Sequence, residues 1–215
     1  MRPRASLFLL SAATLIFEIN LTRLFAVAQF YHFAFMIVSL ALLGFGASGT
    51  ALAVWPQLAS RPPQSTLGRL ALAGGLSMLA AYLLINGLPF DSFSLAWDWR
   101  QVVILILHYF ALALPFFFSG LAVGILLTAS PQNAGQIYGV NLLGSALGCA
   151  AALAAPAWLG GEGAVVLSSG LAAAAGLRGQ TLRVPESVFK RSPAASPRRE
   201  TSARTRTLSE FEDTF

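Results

Sequence analysis

Charged residues are scarce in this chain of 215 residues: they make up 11% of it, whereas hydrophobic residues make up 56%. A soluble domain typically has about 25% charged residues, so a soluble fold of this length would lack the charge to cover its surface. The apolar residues also occur in long runs, which are typical of membrane-spanning segments. The composition therefore indicates a protein whose main partner is the lipid bilayer, and we expect no nucleic-acid partner.

Cysteine and histidine are almost absent. Cys149 is the only cysteine, so the chain has neither a disulfide framework nor a thiolate metal cluster. His32 and His108 are the only histidines and lie far apart in sequence, and no HExxH, P-loop or nucleophile-elbow motif occurs. We therefore expect no catalytic residue, no metal site and no cofactor in this chain.

One glycine motif imitates a nucleotide-binding signature. Residues 44–49 read Gly-Phe-Gly-Ala-Ser-Gly, which matches G-x-G-x-x-G. The apolar run around it continues from residue 33 to residue 55, too long for a strand, and Arg69 stands about 20 residues on, where a ribose-binding acid would be needed. We interpret such glycines as sites of close helix packing. The predicted packing glycines are Gly44, Gly46, Gly120, Gly124, Gly144 and Gly148.

Six apolar runs predict membrane-spanning helices, because about 20 apolar residues cross the hydrocarbon core and only a helix pairs its backbone groups internally. The predicted spans are residues 6–28, 32–55, 67–88, 102–128, 136–158 and 162–177. The predicted fold class is therefore an all-α, polytopic transmembrane helix bundle of about six spans. A cleaved signal peptide is the weaker alternative, because Glu18 and Arg23 would make it unusually long and charged.

Arginines predict the orientation of the bundle. They precede the first span and flank the loop around residue 61, whereas the loop of residues 89–100 has two aspartates against one arginine. By the positive-inside rule, both termini are predicted to lie in the cytoplasm. After residue 177 the sequence becomes rich in Arg, Ser, Thr and Pro and loses its apolar periodicity. We therefore predict a membrane domain over residues 1–177 and a disordered basic tail over residues 178–215.

Polar residues interrupt the first span. An ionisable residue inside a membrane helix costs on the order of 2.5 to 3.5 kcal/mol, so it normally faces the bundle interior and has a partner. Glu18 and Arg23 are five residues apart, about 140° around the helix, and are poorly placed to bridge each other. We therefore predict partners on other helices, with Tyr138 or Asn141 meeting Glu18. The predicted intramembrane polar site consists of Glu18, Asn20, Thr22, Arg23, Tyr31, His32, Tyr138 and Asn141.

The alternative for these polar residues is structural tolerance. In that interpretation the Arg23 side chain extends toward the membrane surface and Glu18 is protonated, and neither residue has a further role. The sequence leaves this alternative open beside the polar-site hypothesis.

Two stretches of the chain resemble a known family. Residues 17–49 (FEINLTRLFAVAQFYHFAFMIVSLALLGFGASG) and 137–149 (IYGVNLLGSALGC) are similar to motifs in the membrane domain of bacterial spermidine synthase-like proteins. In that family a multi-helix membrane domain precedes a cytoplasmic domain of the aminopropyltransferase type. Asn141 stands where the family has an aspartate, so a charge-linked role of that position is in doubt here.

The resemblance covers about residues 5–177 and does not reach a catalytic domain. It implies a truncated, non-catalytic chain in the bacterial inner membrane, related to polyamine biosynthesis and unable to transfer aminopropyl groups alone. Two alternatives stay open. One is a transport or substrate-passing module for a small solute, with cations among the candidates. The other is an assembly subunit that packs against a separate catalytic subunit or forms a homo-oligomer.

Overall fold

A computed structural model describes residues 2–28, 31–59, 62–91 and 93–180 of the protein. It contains five α-helices: α1 (Arg2–Ala28), α2 (Tyr31–Val54), α3 (Pro63–Gly87), α4 (Trp99–Ala129) and α5 (Ala134–Gln180). Within the described ranges no residue lies in a β-strand, and all five helices are long and apolar enough to cross a membrane. The predicted all-α, multi-pass helix bundle is therefore confirmed. The predicted tail lies outside the described residues, apart from residues 178–180, which end α5.

Local sequence explains several helix ends. Pro63 is the first residue of α3, where the missing N–H of proline removes no helical hydrogen bond. Asp98 precedes α4, and its carboxylate accepts a hydrogen bond of 2.9 Å from the backbone N–H of Arg100. This side-chain cap satisfies one of the N–H groups that the first turn of a helix leaves unpaired. Short 3₁₀ turns occupy Pro56–Leu58, Ser94–Ala96 and Pro131–Asn133 in the connections.

α5 is interrupted at Gly160. This residue has φ 71° and ψ 176°, a backbone conformation that is essentially restricted to glycine. We call the part before it α5a (residues 134–159) and the part after it α5b (residues 161–180). Pro156 lies one turn earlier and cannot donate the hydrogen bond that the carbonyl of Ala152 would receive in a regular helix.

Contacts between helices determine their relative directions. α1 contacts α5a through the pairs Phe8–Gly144 and Ala12–Gly148, and it contacts α4 through Thr14–Ser119 and Phe17–Phe116. α3 contacts α4 through Gly74–Phe118, and Phe90, just after the end of α3, contacts His108 of α4. α3 contacts α5b through Gly68–Gly176 and Gly75–Ala172. Thus α1 is parallel to α5a and antiparallel to α4. Since α3 is also antiparallel to α4, α3 and α1 point the same way. Because α5b opposes α3, the chain reverses at Gly160, and the five helices form six spans.

α1 is the most enclosed of the five helices. Its buried apolar side chains are Leu7, Leu10, Ala12, Ala13, Ile16, Phe17 and Leu21. Four polar side chains of α1 are buried as well: Ser6, Ser11, Thr14 and Asn20. α2 differs, because it leaves large apolar side chains uncovered, including Phe35, Leu42 and Leu43. In a bilayer such side chains contact lipid, so α1 is the central helix and α2 lies at the periphery.

Candidate functional site

Glycines bring the central helices into close contact. At Gly144 and Gly148 of α5a, an added Cβ would come within 2.5 Å of the carbonyl oxygens of Phe8 and Ala12 in α1. Such distances allow no side chain, so these two positions set the spacing of α1 and α5a. Gly44 and Gly120 make the corresponding close contacts between α2 and α4, whereas an added Cβ at Gly124 would meet only the end of the flexible Leu52 side chain.

Gly46 does not share this role. A Cβ at Gly46 would meet nothing within 4 Å, and the residue is exposed. It lies on the outer face of α2, because the face that contacts α4 carries Gly44 and Ser48 instead. In this structure Gly46 is therefore not a packing glycine, although its spacing suggested one.

A cavity of about 320 Å³ lies where α1, α2, α4 and α5a meet. Its polar lining side chains are Ser11, Thr14, Ser48, Ser119, Asn141 and Ser145. None of the described lining residues has an ionisable side chain, and the rest of the wall is apolar or glycine. We call this space the hydroxyl cavity. The composition of its wall favours hydrogen bonding without charge.

Hydrogen bonds organise the wall of the hydroxyl cavity. The Ser11 hydroxyl lies 2.7 Å from the side-chain oxygen of Asn141 and 2.9 Å from the carbonyl of Leu7. Because a hydroxyl has one hydrogen, it donates to one of these two acceptors at a time. The Thr14 hydroxyl donates to the Leu10 carbonyl at 2.8 Å and thus accepts from Ser119 at 2.7 Å. The Ser11 hydroxyl can therefore exchange between two acceptors.

Two residues of the predicted polar site contact the interrupted part of α5. The amide nitrogen of Asn20, which is buried, donates a hydrogen bond of 2.8 Å to the carbonyl of Gly161. The guanidinium of Arg23 donates a hydrogen bond of 3.2 Å to the carbonyl of Ala152. This is the carbonyl that Pro156 deprives of its helical partner. α1 thus supplies side-chain donors on both sides of the interruption of α5, and Arg23 compensates for the helical hydrogen bond that Pro156 removes.

The other predicted site residues are not gathered into one cluster. The Thr22 hydroxyl donates to the Glu18 carbonyl of its own helix at 2.8 Å. The half-buried Glu18 carboxylate has no hydrogen-bond partner among the described side chains. Tyr138 is 54% exposed. The side chains of Tyr31 and His32 lie outside what the structure describes.

Asn141 lies at a different level from Glu18. Because α1 and α5a are parallel, Asn141 meets Ser11, which precedes Glu18 by seven residues, or about 10 Å along the helix. The expected contact of Glu18 with Asn141 is therefore replaced by the Ser11 contact. The sequence analysis also missed five hydroxyl-bearing residues of the cavity wall: Ser11, Thr14, Ser48, Ser119 and Ser145. The available signal was the recurrence of small polar residues inside otherwise apolar spans.

Comparisons with protein-family models, with curated proteins and with solved structures found no match to this chain. The similarity to spermidine synthase-like membrane domains therefore stays a prediction from the two motifs. Among the described residues, no group of three or more His, Cys, Asp or Glu side chains could hold a metal ion.

Proposed function

We propose that this chain is a multi-pass membrane module that binds a small, uncharged polar molecule in the hydroxyl cavity. The observation that carries the proposal is the placement of six hydroxyl- or amide-bearing side chains around one cavity inside membrane-spanning helices. Polar groups are costly in an apolar environment unless they are hydrogen-bonded. A ligand with hydroxyl or amide groups would bind these side chains and exchange with their present partners.

The chemistry of the wall selects against charged ligands. A cation taken from water into this part of the membrane would need a counter-charge, and no carboxylate occurs among the described residues of the cavity wall. The volume of about 320 Å³ lies near the lower end of the range of about 300 to 1,000 Å³ that is usual for small-molecule sites. A compact polyol or amide fits these limits better than a long, doubly charged polyamine.

The resemblance to spermidine synthase-like proteins supplies the setting of the proposal. We place the chain in the bacterial inner membrane, with both termini in the cytoplasm, as a non-catalytic membrane domain of that kind. The even number of spans supports termini on the same side. Asn141, which replaces the family's aspartate, lines the hydroxyl cavity. Its neutral amide favours an uncharged ligand over the cation-passing alternative.

Cysteine protection tests this proposal directly. In a Cys149→Ala background, Ser145→Cys places one thiol in the cavity wall, and Ser130→Cys places the matched control thiol in the α4–α5 connection. The reagent is neutral methyl methanethiosulfonate and the protein is held in lipid nanodiscs. We expect erythritol to slow labelling of the Ser145→Cys variant at least threefold and to leave the Ser130→Cys variant unchanged. Spermidine should slow neither.

The outcomes separate the competing functions. Equal labelling rates with and without erythritol would remove the case for a polar ligand in this cavity. Protection by spermidine would instead establish the cation-passing alternative. Introducing Asn141→Asp should shift protection from erythritol toward spermidine, because that substitution adds the carboxylate that a cation needs.

A further inference from the structure

His108 of α4 is buried without a hydrogen-bond partner. Its side chain is 3% exposed, and neither Nδ1 nor Nε2 makes a hydrogen bond to any described residue. A neutral imidazole has one N–H donor and one acceptor nitrogen, and buried polar groups of this kind are normally paired. The carbonyl of Ile104, one turn earlier, is close enough to interact with the ring but lacks hydrogen-bond geometry. Both nitrogens thus lack a hydrogen-bond partner, but neither is accessible in the conformation described, so a ligand would bond to one of them only after the imidazole turns toward the cavity that it lines.

A second cavity, of about 230 Å³, is lined by His108. It lies between the ends of α1 and α3 and the beginnings of α2 and α4. The other lining residues that the structure describes are all apolar: Phe25, Met36, Ile85, Pro89, Phe90 and Leu105. The Phe90 ring meets the imidazole edge to face, with 6.3 Å between ring centroids. We call this space the histidine cavity. Unlike the hydroxyl cavity, it has a single polar side chain among the described residues of its wall.

We propose that the histidine cavity binds the head group of a lipid-soluble, uncharged ring compound of the quinone class, with His108 hydrogen-bonded to a ring oxygen. The apolar wall selects against charged ligands, and the flanking aromatic rings favour a flat ring. The imidazole can donate to a quinone carbonyl or accept from a quinol hydroxyl.

Size and depth support a ligand that arrives through the lipid. The volume of the histidine cavity is about 230 Å³. Sites that hold a whole drug-sized molecule usually have volumes of about 300 Å³ or more. The cavity would therefore hold the ring, and an apolar tail would lie outside against the helices. His108 follows the first residue of α4, Trp99, by nine residues, or about 14 Å along the helix. That depth places the ring oxygen in the hydrocarbon layer rather than among the lipid head groups.

Nitrogen-15 NMR of histidine tests the proposal, because the chain has only two histidines. The full-length protein is labelled with ¹⁵N-histidine and placed in lipid nanodiscs. The probe is decyl-benzoquinone, and decylbenzene is the control that lacks oxygen. We expect the His108 ring resonances, assigned by their loss in His108→Phe, to shift saturably with the quinone and not with decylbenzene.

Equilibrium dialysis of two variants adds a second measurement. His108→Phe keeps a ring of similar size and removes both nitrogens, so the Kd for the quinone should rise at least tenfold. Tyr109→Phe is the matched control, because Tyr109 is the next residue and does not line the cavity; its Kd should equal that of the wild type.

Three results would overturn the proposal: a non-saturable shift, an equal shift with decylbenzene, or an unchanged Kd in His108→Phe. If His108→Phe does not fold, wild-type spectra in which each histidine is assigned from its contacts to neighbouring residues decide alone.

Discussion

Two of the described helices, α4 and α5, have a proline in their interior, and the chain accommodates the two prolines differently. In α4, Pro115 is buried and the helix continues without interruption from Trp99 to Ala129. In α5, Pro156 is followed four residues later by Gly160, and the chain reverses. A proline removes one hydrogen bond and bends a helix. In α5 the chain goes beyond a bend and reverses, because Gly160 after the proline adopts a positive φ.

The surroundings of the two prolines differ as much as the backbones do. Beside Pro115, the Phe116 ring packs against Phe17 and Phe45, with centroids 6.2 Å apart in each pair. Beside Pro156, Arg23 donates to a backbone carbonyl, and Asn20 does the same just beyond Gly160. The helix that stays intact is thus supported by apolar packing, whereas the interrupted one also receives polar side chains from α1.

The largest effect is expected where only glycine can hold the reversal. Gly160→Leu should destabilise the folded state by about 3 kcal/mol, because other residues strongly disfavour this backbone conformation. Thermal unfolding in detergent measures the change. Gly170→Ala is the control, since Gly170 is helical and an added Cβ there meets nothing within 4 Å. That control should be neutral or slightly stabilising. Wild-type stability of Gly160→Leu would show that the reversal does not depend on this residue.

A smaller loss is expected when the amide beside the reversal is removed. Asn20→Leu keeps a similar volume but takes away the donor to the Gly161 carbonyl, which should cost about 2 kcal/mol. Unfolding in mixed micelles of increasing SDS content measures this free energy. Thr22→Val is the matched change on the same helix and should stay within about 0.5 kcal/mol of wild type, because the Thr22 hydroxyl donates within α1 and to no other described helix. Equal stability of the two variants would contradict the assignment.

A double-mutant cycle sharpens the comparison of the two prolines. Arg23→Met should cost about 1 to 1.5 kcal/mol in the wild-type background. Pro156→Ala restores a backbone N–H that can bond to the Ala152 carbonyl, so Arg23→Met should cost about 1 kcal/mol less in that background. With Pro115→Ala as the background, the cost of Arg23→Met should not change. If the effects of Arg23→Met and Pro156→Ala on the free energy of unfolding are additive, Arg23 does not compensate for the hydrogen bond that Pro156 removes.

The smallest effect on stability is expected at the residues that precede α4 and α5. Asp98→Ala removes the side-chain cap of α4 and should destabilise the bundle by about 0.5 to 1 kcal/mol. Ser130 occupies the corresponding position before the turn that leads into α5 but makes no capping hydrogen bond. Ser130→Ala should therefore be neutral. Thermal unfolding of both variants measures the difference, and equal midpoints would mean that the Asp98 cap contributes nothing.

The spans could be predicted because length and apolarity alone decide whether a helix crosses a membrane. Even the division of α5 was predictable, since Gly160 to Gly163 and Glu162 interrupt its apolar run. The partners of the polar residues could not be predicted in the same way. Asn141 meets Ser11 rather than Glu18 because two parallel helices pack in a register that no local pattern specifies.

Arg23 and Asn20 donate to backbone carbonyls rather than to the side chains that the sequence analysis predicts as partners. For Arg23, the sequence contains a signal of this. A proline at position 156 frees the carbonyl of residue 152 by geometry alone. When a membrane span contains a buried side-chain donor, its acceptor should therefore also be sought among the carbonyls that lie four residues before prolines in other spans. Which span faces which proline still depends on the tertiary fold.

The long sequence separation between Asn20 and its acceptor has a consequence for biosynthesis. Their 141-residue separation means that, at about 5 to 20 residues per second, Gly161 emerges roughly 7 to 28 s after Asn20. During that interval the amide of the first span lacks its final acceptor, and so does the guanidinium of Arg23. The central helix therefore enters the membrane first but reaches its final hydrogen bonding last, when the closing pair of spans is made.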